Sequence, residues 1–132
     1  MYTLEEITEK LFADLKEEFT DLKVEFGKYE QLNLQAPAVY IYFEPYGSES
    51  TQSYLYNRYV RFTLFVTAST KNVHTSIIEA TENAEKIELW LAENFDINYD
   101  GIESPFSFDS FYSNIAVVGL QFNIFYKSSV QP

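Results

Sequence analysis

Apolar residues recur at two different periods along this chain, and the switches between them outline its architecture. Leu4, Ile7, Leu11, Leu15, Phe19 and Leu22 step by three and four, with Glu and Lys filling the positions between. That spacing predicts an amphipathic helix of roughly four to five turns lying on something apolar. Thr3 and Glu6 stand at capping-box spacing and predict its start. Val73, Ile77, Ala80, Ala84, Ile87 and Leu91 repeat the pattern and predict a second helix of roughly six turns, ending near Asn94. Residues 69–72, Ser-Thr-Lys-Asn, offer it several N-caps.

Between and after the helices the period drops to two. Residues 24–29 are a candidate short strand. Residues 38–43 alternate Val39, Ile41 and Phe43 on one face with Tyr40 and Tyr42 on the other, and Pro45 and Gly47 end the run. A polar loop over 47–53 leads into a long strand over roughly 54–67. There Val60, Phe62, Leu64 and Val66 oppose Tyr59, Arg61, Thr63 and Phe65, so a hairpin with an extended polar tip is expected. Residues 102–112 are aromatic-rich but hold Pro105, which predicts an edge strand. Residues 115–126 show the clearest alternation, with Val118, Leu120, Phe122 and Ile124 on one face. The order α-β-β-(β)-α-β-β predicts an α+β fold over residues 1–132, a single domain. Two amphipathic helices packed on one mostly antiparallel sheet would bury every apolar face.

Composition narrows the function. With 11 Tyr and 12 Phe the chain holds more aromatic surface than a small core can absorb, and phenols in particular require water or a partner. The formal charge of −11 argues against binding nucleic-acid phosphate or an anionic membrane, both of which need a basic footprint. From Asn72 onward nine Asp and Glu face only Lys86 and Lys127, so this half carries −7 of the total. Cysteine is absent, which removes disulfides and thiolate metal sites. The opening residues enter a charged amphipathic pattern at once, unlike a signal peptide, and a cytoplasmic location is expected.

Candidate chemistry is sparse. Asp96, Asn98 and Asp100 followed by Gly101 match the first half of a calcium loop. The closing position, however, is Ser107 instead of Glu, and Pro105 stands where a helix should leave; a tight Asp-Gly turn between helix and strand is the plainer reading. His74, the single histidine, has no Cys or elbow Ser to activate and falls in the first turn of the second helix. Glu79, Glu82, Glu85 and Glu88 step by three and form an acidic ridge, most simply a solvated face. Gly27, Gly47, Gly101 and Gly119 are too scattered to cradle phosphate. No catalytic residue, cofactor site or metal site is expected.

The stronger lead is a set of tyrosines and arginines. Tyr40, Tyr42, Tyr54, Tyr56 and Tyr59, with Arg58 and Arg61, crowd the two central strands. Tyr and Arg are enriched at protein-interface hot spots, so these residues are the candidate subunit interface. The competing reading is a sheet face covered by one of the helices, with the hydroxyls satisfied inside a core.

Size, acidity and order of elements resemble the tail terminator and tail-completion proteins of long-tailed phages and prophages. The likeness is carried by the opening helix over 7–19, the Val39-Tyr40-Ile41-Tyr42-Phe43 strand, the strand over 59–66 running into a long helix, and the closing strand over 119–124. It implies a homohexameric ring that terminates the tail tube, meets other tail or connector proteins, and holds an acidic face beside passing DNA without binding it. The loop over 45–53 would reach a neighbouring subunit. A rival class is an acidic immunity protein that neutralises a basic toxin or nuclease. A calcium- or ligand-binding module is the third.

Overall fold

The computed structural model describes residues 2–27, 34–44, 57–112 and 115–127. Helix α1 spans Leu4–Glu18 and α2 spans Val73–Asn94. The strands are β1 (Lys23–Phe26), β2 (Ala38–Glu44), β3 (Asn57–Ser69), β4 (Ile97–Asn98), β5 (Phe106–Tyr112) and β6 (Ile115–Lys127). They form one sheet in the order β1-β2-β3-β6-β4, with β5 also paired to β6. Among the pairs of described strands only β1–β2 is parallel. The α+β architecture is therefore as the residue pattern predicts.

Thr3 caps α1 with a full capping box: its hydroxyl accepts from the Glu6 amide, and the Glu6 carboxylate accepts from the Thr3 amide at 3.1 Å. This contact holds the Glu6 carboxyl below the usual range. The helix ends at Glu18, one turn before the apolar periodicity does. Phe19 leaves helical geometry as the C-cap, and Leu22 meets the core from the following turn. Asn72 caps α2 by accepting from the Thr75 amide at 2.9 Å.

Both helices lie on the same face of the sheet. Ile7, Leu11 and Leu15 of α1, and Ala80, Ala84, Ile87 and Leu91 of α2, are buried against Val39, Ile41, Val60, Phe62, Leu64, Val66, Val118, Leu120, Phe122 and Ile124. Small Ala80 and Ala84 let α2 approach β3 and β6 closely. Phe62 and Phe122, direct partners in the β3–β6 register, stack with centroids 5.7 Å apart at the centre. The helices meet where the Trp90 ring receives Phe19 edge-on at 5.9 Å.

Strands β4 and β5 run in succession along one edge of β6, since β3 occupies the other edge for its whole length. Asn98 pairs with Asn123 and Phe106 with Leu120, so residues 99–105 loop out opposite 121–122. This interrupted lane positions the polar groups of the opposite face.

Candidate interaction surface on the helix-free sheet face

Period-two alternation sends the second set of strand residues away from the helices. Tyr40 and Tyr42 of β2, Tyr59, Arg61, Thr63, Phe65 and Thr67 of β3, and Val117, Gly119, Gln121, Asn123 and Phe125 of β6 share this face. Neither helix covers it, so the helix-covered reading of the tyrosines does not apply.

Part of the face is nevertheless closed. Tyr40 is only 1% exposed, packed with Ala38, Val117, Leu34 and Phe65. Its hydroxyl accepts from the Gln35 amide at 2.8 Å, and the Thr67 hydroxyl donates to the Gln35 carbonyl at 2.6 Å. The stretch entering β2 through the cis Ala36-Pro37 bond thus folds across one end of the face. Tyr40 is a core residue of the chain, contrary to its expected outward position.

Arg61 is also turned inward, at 9% exposure. Its Nε donates to Asn123 Oδ1 at 3.2 Å, and Nη2 donates to the Asp100 carbonyl at 3.2 Å. Asn123 Nδ2 donates to the same carbonyl at 2.9 Å and to Asn98 Oδ1 at 3.2 Å. The looped-out segment is therefore fastened to the sheet by a buried cation and an amide, both of which satisfy groups that burial would otherwise penalise. Asn123 stood unremarked in the strongest β pattern; a polar residue on the outward set of a central strand was the available signal.

This cluster reassigns the calcium-like segment. Asn98 Oδ1, which a calcium ion would recruit, accepts instead from Asn123 Nδ2 and from the Asp100 amide, while Asn123 and the guanidinium of Arg61 hold the Asp100 carbonyl. Gly101, at φ 75°, turns the chain as the Asp-Gly reading requires. Among the described residues no group of three or more His, Asp or Glu is arranged to hold a metal ion. His74 lies exposed at the start of α2.

Beyond the cluster the face opens into a cavity of about 260 Å³, lined by Tyr42, Glu44, Thr63, Phe65, Ser104, Ser107, Gly119 and Gln121. Gly119 admits Ser107: a β-carbon there would stand 3.1 Å from Ser107 Oγ. Tyr59, half-buried, meets its cross-strand partner Phe125 edge-on at 6.2 Å. Of the expected interface residues, Tyr42 thus borders the open part. Arg58 lies on β3 opposite Tyr126, and Tyr54, Tyr56 and the loop over 45–53 fall outside the described residues. Thr63, Phe65, Ser107 and Gln121 were not singled out from sequence, because only the strand register brings β2, β3, β5 and β6 to one hollow.

The acidic ridge is not a single line. Steps of three regress by about 60° each on a helix of 100° per residue, so the four glutamates wind across the outer half of α2. Glu79, Glu82 and Glu85 are exposed, while Glu88 is half-buried and accepts a 2.5 Å hydrogen bond from the Tyr99 hydroxyl.

Among the described residues no helix is long and apolar enough to cross a membrane. Comparison with known proteins found no matching family model and no matching curated sequence.

Proposed function

We propose that this chain is a structural assembly subunit, a ring-forming tail terminator of a phage or prophage tail that acts through protein contacts. The observation that carries the reading is the helix-free sheet face, where Tyr42, Phe65, Thr63 and Gln121 border an open hollow. Aromatic and amide groups around a shallow hollow suit a neighbouring subunit's protruding side chain. Support also comes from the helix–strand order on which the phage-tail resemblance rests, and from the exposed glutamates of α2, which repel passing DNA. Assembly would take place in the cytoplasm, with other tail or connector proteins as further partners. The rival inhibitor reading instead requires one copy, or two, bound to a basic enzyme.

The absence of cysteine allows a direct test. An environment-sensitive fluorophore on a cysteine at Gln121 should shift to the blue as concentration rises, and one at Glu85 should not. A concentration-independent Gln121 signal under conditions where the chain self-associates would contradict the assignment of this face.

A further inference from the structure

Surface helices normally turn a polar line to water. On α2, Ile78, Glu82, Glu85 and Leu89 are spaced four, three and four residues apart. At about 100° per residue they fall within roughly 50° of the pole opposite buried Ala80, Ala84, Ile87 and Leu91. Ile78 is 43% exposed and Leu89 67%. A lone exposed leucine means little. Here two aliphatic side chains, about 16 Å apart along the axis, bracket two exposed carboxylates on one line. Among the described residues neither carboxylate has an ion-pair partner.

The charge pattern selects the occupant. Two copies of α2 laid antiparallel would match Ile78 to Leu89 but press Glu82 against Glu85 twice, between chains that each carry −11. A parallel pair would set each glutamate against itself. Like charges held together in this way oppose association. A helix with apolar residues at i and i+11 and Lys or Arg at i+4 and i+7 meets both halves of the pattern. We propose that the outer line of α2 is a docking strip for a basic amphipathic helix of another protein. The strip lies on the opposite side of the sheet from the proposed ring contact, and a helix docked there would cover Glu82 and Glu85, so that of the exposed Glu79, Glu82 and Glu85 only Glu79 would still face DNA.

The test uses the full chain and a labelled synthetic helix with Leu at i and i+11, Arg at i+4 and i+7, and Ala, Gln and Lys elsewhere. Fluorescence anisotropy should give saturable binding that weakens with added salt. Leu89→Ala alone, and Glu82→Gln with Glu85→Gln, should each weaken it tenfold or more, with circular dichroism unchanged because these side chains are exposed. A version of the peptide with Glu in place of Arg should not bind. The proposal is overturned if the basic peptide fails to bind, or if Leu89→Ala leaves binding intact, which would mark general attraction to an acidic protein. Dissociation of a native oligomer by Leu89→Asp would overturn it too, by giving the strip to a second copy.

Discussion

Arg61 and Asn123 face each other across the β3–β6 pair, and the guanidinium Nε donates to the amide oxygen at 3.2 Å while both side chains hold the Asp100 carbonyl. The contact explains why a cation lies buried in a chain of −11: it fastens an edge lane that would otherwise have a gap. Asn123→Ala removes an acceptor from Arg61 and a donor from Asp100. It should cost about 1–3 kcal/mol in denaturant unfolding. Amide exchange at Asp100 and Ile102 should quicken more than exchange in the β3–β6 ladder. Uniform quickening across the sheet would mean the pair supports the whole core and not the lane.

Gly119 and Ser107 form a second dependent pair. Gly119→Ala brings a β-carbon to 3.1 Å from Ser107 Oγ, a contact that forces the hydroxyl aside. We expect a loss of about 1 kcal/mol, of the order usual for overpacking. In a Ser107→Ala background the clash disappears, and the same change should become neutral or stabilising, since glycine weakens strand interiors. Equal losses in both backgrounds would show that the crowding comes from elsewhere.

Tyr99 provides a pH signature. Burial, and then its hydrogen bond to Glu88, push the phenol well above its ordinary value of 10.0. The folded chain therefore holds this proton more tightly than the unfolded chain. The resulting stabilisation is complete below about pH 10 and is lost as pH rises beyond it. Tyr99→Phe should reduce stability at pH 7 by about 1 kcal/mol and flatten the decline between pH 10 and 11. Parallel pH–stability curves for the two proteins would remove Tyr99 as the source.

The helices and the long strands were legible because their periodicity is local. Alternation identified the inward set Val60, Phe62, Leu64 and Val66, and three-and-four spacing identified the buried stripe of α1. What escaped depends on contacts between distant segments. Tyr40 alternates in step with Tyr42, yet only Tyr40 is sealed, because the segment before β2 folds over it. The parallel pairing of β1 with β2 leaves no periodic trace. The Asp96–Gly101 pattern is ambiguous until Arg61 arrives from 39 residues away to bond the Asp100 carbonyl. Ile78 and Leu89 are apolar residues outside the buried stripe of α2, and the line they form with Glu82 and Glu85 at steps of four and three is obscured by the denser run of glutamates at steps of three.

Assembly itself is best tested by absolute mass in solution, from light scattering coupled to size exclusion, across a range of concentrations at low and high salt. Copies carrying −11 repel one another, and salt screens that repulsion. The mass should therefore climb with concentration toward a hexamer, at lower concentration when salt is high, and Tyr42→Asp should hold the chain at lower mass. A strict monomer under every condition would contradict the ring.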